Sequence, residues 1–293
     1  MFYICSMTDL HIIWFQSDLR VHDHAALRGA CASAARDGGE VLALAILPSE
    51  RRLTAFRYDG LADLRDALEV RALPLHVRTG DTIAILSELH QKHRILSLHC
   101  HEPYTPSERD RGLEAWTLRA GIAFRTYPQF RPSPYASEDS WTAFVSRPRF
   151  EAPDIPATAN VGIGAWPADP APHADTTEAR GGRKQAIALL RSFLQPAHAP
   201  REPDQALSGG GMFRQIEPYL QLGAISVREA WQAAQSARHQ YVAARLESRV
   251  EQVEGFLTAL QAFGCRNERS VSRQDQPQDG PQLSLDFQSP NAA

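Results

Sequence analysis

Between residues 10 and 127, short apolar runs alternate with helical patterns, and this alternation constrains the fold more than any other feature. The runs "LHIIWF", "VLALAIL", "LPLHVR", "ILSLHC" and "IAFRTY" are rich in Ile, Val and Leu. Continuous apolar runs of this kind suit strands covered on both faces. Helical patterns lie between them near 23–36, 55–72, 81–93 and 107–120, with Asp81 placed to cap the third and Gly121 to end the fourth. Strand and helix in strict succession predict an α/β domain over residues 8–127, a five-stranded parallel Rossmann-like sheet wrapped by helices.

Beyond it, residues 128–180 read as a Pro-rich connector with little sustained periodicity. A short all-α region follows over 181–264. In "GGRKQAIALLRSFL" Ala186, Leu189, Leu190 and Phe193 share a face, and Leu246, Val250, Val253, Leu257 and Leu260 recur at helical spacing further on. Residues 265–293 are polar and predict a disordered tail.

The formal net charge of −3 gives no global basic field, so any contact with DNA has to be local. Cys5, Cys31, Cys100 and Cys265 are too scattered for a zinc knuckle or a secreted disulfide framework, and a reducing cytoplasm is the expected setting. No apolar run reaches the roughly 20 residues of a membrane span. Met7 stands just before the first strand, so "MFYICS" reads as an upstream extension.

The candidate site is the polar elbow after the first strand, where Gln16, Ser17, Asp18 and Arg20 precede His22, Asp23 and His24. In open parallel sheets ligands lie outside the carboxyl ends of the strands, where the strand order reverses. Amides, a hydroxyl, a carboxylate and a guanidinium beside a helix N-terminus suit a nucleotide-like ligand. The competing reading has Asp18 and Arg20 capping and pairing within the loop. Neither GxGxxG nor a P-loop is present, so the generic dinucleotide and P-loop readings lose support. A nucleotide-processing hydrolase or transferase would use the same crevice, but no nucleophile–base pair accompanies it.

Taken together, "IIWFQSDLRVHDHAAL", "RYDGLADLRDALEVRALPLHVRTGD", "EPYTPSERDRGLEAWTLRAGI", "GGRKQAIALLRSFL" and "EPYLQLGAISVREAW" resemble, in order, segments of the photolyase/cryptochrome family. The resemblance covers roughly residues 10–260. It implies an N-terminal domain that often holds a light-harvesting antenna chromophore, a helical domain that holds FAD and the damaged bases, and deoxyribodipyrimidine photo-lyase or photoreceptor activity. The polar elbow then borders the antenna crevice. The family's flavin-phosphate loop reads Thr-Ser-x-Leu-Ser-Pro, and the matching positions here are Phe213, Arg214, Gln215, Ile216, Glu217 and Pro218. Three hydroxyls are missing; Arg214 could pair with a phosphate, while Glu217 brings negative charge toward the same anion. The family's helical domain also continues well past residue 264. The expectation is therefore a degenerate member, with little FAD, serving as a binding or accessory module in DNA repair. The alternative is an active, FAD-dependent photolyase or cryptochrome.

His99, His101 and Glu102 at a strand end invite a metal reading, but no further ligand stands at a recognised spacing, and polar residues at a strand terminus are expected. Trp116, Trp141 and Trp231 read as packing residues, and Arg245, Glu247, Arg249, Glu251 and Glu254 as a solvated helix face. In the tail, "QLSLDF" resembles the hexapeptide by which bacterial polymerases and repair proteins dock on the sliding clamp, with Gln282, Leu283, Leu285 and Phe287 as the anchors.

Overall fold

The computed structural model describes residues 7–49, 53–103, 108–132, 137–159, 161, 166–168, 180–195 and 208–265. The expected tail beyond Cys265, with its clamp-like hexapeptide, lies outside the described residues.

The N-terminal part alternates β1 (Asp9–Phe15), α1 (Ala25–Asp37), β2 (Glu40–Leu47), α2 (Ala55–Glu69), β3 (Leu75–Thr79), α3 (Thr82–Lys92), β4 (Arg94–His101), α4 (Glu108–Ala120) and β5 (Ala123–Tyr127). The five strands form one parallel sheet in the order β3-β2-β1-β4-β5. Successive side chains of β1 point to opposite faces. Ile13 and Phe15 pack with Leu27, Ala30, Leu61, Leu64 and Leu68 of α1 and α2, and Leu10, Ile12 and Trp14 with Ile85, Leu86, Leu89 and Leu113 of α3 and α4. Asp81 caps α3 by accepting from the Ala84 amide at 2.8 Å, and Gly121 follows α4 at φ +69°. His24 caps α1, its Nδ1 accepting from the Leu27 amide at 2.9 Å.

The face beneath α1 carries a buried polar chain. His11 Nδ1 lies 2.7 Å from Ser97 Oγ, Ser97 Oγ 2.8 Å from His99 Nε2, and His99 Nδ1 2.9 Å from the Tyr127 hydroxyl. At the other end His11 Nε2 stands 3.7 Å from the Asp37 carboxylate. Gly29 of α1 fits over this chain because a Cβ there would sit 2.0 Å from the Tyr127 oxygen.

The rest is helical: α5 (Glu138–Val145), α6 (Arg183–Leu194), α7 (Gly209–Gln221), α8 (Val227–Ala243) and α9 (Glu247–Cys265). α5 stands inside the segment expected as connector, capped by Ser137, with Trp141, Phe144 and Val145 in the helical core. Trp141 donates to the Phe130 carbonyl at 2.9 Å and meets Trp231 edge-on at 5.0 Å. Further along, residues 157–159 run beside β2, with Val41 donating to Ala157 and accepting from Ala159. The stripe expected on the last helix holds for Val253, Leu257 and Leu260, but Leu246 is 42% exposed, because Arg245 turns left-handed at φ +57° and α9 starts after it. Among the described residues no helix is long and apolar enough to cross a membrane.

Candidate functional site

A cavity of about 890 Å³ opens at the carboxyl ends of β1, β2 and β3. Gln16 and Ser17 form its β1 wall, Leu47, Pro48 and Ser49 its β2 wall, and Thr79 its β3 edge, while Thr54 and Arg57 reach in from α2. Pro167 and Ala168 cross over it. That crossing is anchored by Trp166, whose Nε1 donates to the Tyr58 hydroxyl at 3.2 Å and whose ring lies 4.5 Å beneath the Arg65 guanidinium. A lining shared about evenly between apolar side chains and the polar groups of Gln16, Ser17, Ser49, Thr54, Arg57 and Thr79 suits a ligand with an apolar body and a polar or anionic end.

The cavity sits over β1, β2 and β3, to one side of the β1/β4 reversal where the strand order predicts the crevice. The reversal itself is filled. Asp18, 1% exposed, receives His101 Nδ1 at 2.9 Å and has His24 Nε2 3.0 Å from the same oxygen, and its other oxygen accepts from the Gln16 amide at 2.7 Å. Burial alone would raise the Asp18 pKa, but the hydrogen bonds from His101 and His24 outweigh it and hold the carboxyl well below its usual range. Both imidazoles are kept neutral, chiefly by burial: His101 is pushed down to about 3, and His24 is lowered as well.

Arg20, 2% exposed, is also turned inward. It donates to the Gly223 carbonyl at 3.0 Å and to the Asp23 carbonyl at 3.1 Å. The Asp23 side chain accepts from Ser226 Oγ at 2.6 Å, from the Phe150 amide at 3.1 Å, and from Arg228 at 2.7 and 3.0 Å. Of the four elbow residues singled out in the sequence, Gln16 and Ser17 therefore face the cavity. Asp18 braces it from within the α/β part, and Arg20 binds it to the helical region.

Three ligand-type atoms, from Asp18, His24 and His101, lie within 4.8 Å of one another. The donor set argues against a metal: His24 Nδ1 accepts a backbone N–H, so its proton sits on Nε2, the nitrogen that would have to ligate. His99 belongs instead to the Ser97–Tyr127 chain, and Glu102 is a half-buried carboxyl whose pKa burial raises.

The positions matching the flavin-phosphate loop lie well inside α7. Phosphate loops use free backbone N–H groups, but only the first turn of a helix has them. Here Ser208 caps that turn through the Gly211 amide, and residues 213–218 follow it. Phe213 and Ile216 are buried in the helical core, Glu217 accepts from Gln221 at 3.1 Å, and Arg214 is exposed on α7. These residues do not fit the FAD phosphates. Thr54, Arg57, Ser49 and Thr79 were not singled out in the sequence, although "LTAFR", a Thr cap followed by a first-turn Arg, carries a readable signal for two of them.

Residues 11–129 match the DNA photolyase family model. Over 236 residues the chain is 30% identical to a deoxyribodipyrimidine photo-lyase of Thermus thermophilus, covering 76% of this chain and 54% of that protein. Among solved structures, a Synechocystis cryptochrome superposes with TM-score 0.68 at 17% identity, covering 88% of this chain and 60% of that one. An archaeal photolyase from Sulfolobus tokodaii, solved with two FAD molecules, superposes with TM-score 0.56 at 18% identity, covering 85% and 60%. The chain spans about half the length of the curated relatives it matches. By the match of residues 11–129 to the DNA photolyase model, the identity over most of the chain and the superposition on solved members, the chain belongs to the photolyase/cryptochrome family.

Proposed function

We propose that this protein serves DNA repair or blue-light sensing as a chromophore-binding member of its family, holding a flavin-like or nucleotide-like ligand in the α/β cavity while its helical region acts as a packed scaffold. The observation that carries this reading is a contrast. The cavity offers Gln16, Ser17, Thr54 and Arg57 to a ligand, whereas the flavin-loop positions are spent on helix and core. That the Sulfolobus tokodaii photolyase was solved with two FAD molecules, with a novel light-harvesting cofactor implied, supports a flavin-type ligand here. When bound, such a group would supply light absorption; the chain's own residues would bind its polar end through Arg57 and Thr54 and keep water from its ring.

The test is visible absorption of the full chain purified under dim light, followed by FMN and FAD titration. About one equivalent should bind, and both Arg57→Ala and the cavity-filling Ser17→Trp should abolish it. A bound flavin indifferent to both substitutions, together with light-dependent dimer repair, would overturn the reading in favour of an active photolyase. Turnover of a nucleotide would favour the processing enzyme instead.

The hexapeptide at Gln282–Phe287 supports a second element, tethering to a bacterial sliding clamp. Motifs of this size bind in the micromolar range, near −8 kcal/mol, and depend on one or two anchors. A peptide spanning 278–291 should bind the host's clamp, and Leu285→Ala with Phe287→Ala should abolish binding. Equal affinity for both peptides, or none for either, would remove the tether.

A further inference from the structure

The wall formed by Gln16 and Ser17 has no regular secondary structure of its own, yet its backbone groups are held one by one. The Gln16 amide donates to Asp18, the Gln16 carbonyl accepts from Arg57 at 3.0 Å, and the Ser17 carbonyl accepts from Gln129 Nε2 at 2.5 Å. Behind it stands the turn between α7 and α8. The Leu19 amide donates to the Leu222 carbonyl at 3.2 Å, Arg20 reaches the Gly223 carbonyl, and the Leu222 side chain packs into the core beneath α1 and α2. Gly223 takes φ +68°, and a Cβ on it would stand 2.3 Å from the Ser17 oxygen and 2.4 Å from Asp18 Cα. This is backbone against backbone, so no side-chain rotation relieves it. The wall that faces the ligand, Gln16 and Ser17, thus runs straight into the stretch Ser17 to Arg20 that receives the helical region, with Ser17 in both.

We infer that the Leu222–Gly223 turn is a positioning element of the α/β cavity, so that docking of the helical region and binding in the cavity form one linked equilibrium. The inference rests on the proposed ligand role of the cavity, but the link itself is a property of the unliganded chain. By reciprocity, whatever tightens the seam tightens the site, and a ligand in the site holds the seam.

Hydrogen exchange on the full-length protein tests this. Gly223→Ala should speed exchange of the 15–19 segment about tenfold or more, since local opening sets the exchange rate. Gly38→Ala is the control. Gly38 is equally left-handed at φ +75° but has nothing within 4 Å, so it carries the same backbone strain without the contact and should leave 15–19 unchanged. If Gly223→Ala does not fold, Leu222→Ala loosens the same turn and should act in the same direction. In the wild type, FMN should slow exchange across 219–226. Unchanged exchange at 15–19 in both seam variants, or an equal change with Gly38→Ala, would overturn the link. Faster exchange at 15–19 in a protein that ignores FMN would overturn the ligand reading and uphold the link.

Discussion

Lowering the pH from 7 to 5 should strip this protein of much of its stability, and the reason lies in its buried histidines. His101 is pushed down to about 3 and His99 to about 4, in both cases mainly by burial, with His24 adding to the first and His11 to the second. An unfolded chain returns both to about 6.5. As pH falls through 6.5 the unfolded state takes up protons that the native state refuses, so stability declines by about 1.4 kcal/mol per pH unit for each group. Two pH units reach about 1.5 units below the unfolded value, which is roughly 2 kcal/mol for each histidine and 4 for the pair. His24 and His11, lowered in the same direction, add to the loss, whereas Asp18, whose native pKa lies below 3.8, begins to contribute only under that value. Against a total of about 5–15 kcal/mol such a loss is large, and at about 2–4 °C per kcal/mol it lowers the melting temperature by about 8–16 °C. Urea and thermal unfolding followed by circular dichroism at constant ionic strength would measure it. His99→Gln should cost stability at pH 7 yet shrink the loss between pH 7 and 5 by about 2 kcal/mol. Equal midpoints at the two pH values would refute the reasoning.

Asp23→Ala leaves Arg228 and Arg20 without their buried counter-charge and should cost about 3–5 kcal/mol in urea unfolding; a loss under about 1 kcal/mol would mean that the seam does not depend on this pair. Gly264→Ala would set a Cβ 1.8 Å from Trp141 Nε1, so it should destabilise the helical core by about 1–3 kcal/mol and red-shift tryptophan emission. Trp166→Ala removes the bond to Tyr58 and the stacking under Arg65, worth about 1–2 kcal/mol together, and should speed FMN dissociation from the cavity.

The sheet was legible because β1, β2 and β4 are buried along most of their length and its helices begin and end with local signals such as Asp81 and Gly121, whereas β5, expected to be covered on both faces, is an edge strand left largely exposed. α5 was not. Eight residues show barely two turns of periodicity, and the cap at Ser137 with Glu138 and Asp139 behind it sits among prolines that suggest a loop. Gln16 and Ser17 could be placed at the site because a strand end points to it. Pairing of Asp18 and Arg20 within the loop was one of the two sequence readings, and each has local partners at Gln16, His24 or Asp23; their further partners, 83 residues away at His101 and 203 away at Gly223, carry no local signal. The positions matching the family's flavin loop could be found in the sequence, but their place within α7 depends on where Ser208 starts the helix.

The buried chain beneath α1 has a direction. Each neutral imidazole carries one proton and Ser97 a single O–H, so the order of the bonds from His11 through Ser97 and His99 to Tyr127 hangs on which nitrogen of His11 is protonated. If they ran outward to Tyr127, His11 would turn a bare lone pair toward the Asp37 carboxylate 3.7 Å away. Run the other way, the Tyr127 hydroxyl donates to His99, His99 to Ser97 and Ser97 to His11, whose remaining N–H then faces the anion. A carboxylate at the C-terminal end of α1 thereby orders the hydrogens along the sheet as far as a phenol on its edge strand, and its charge is felt there without a proton or an atom having to move between them.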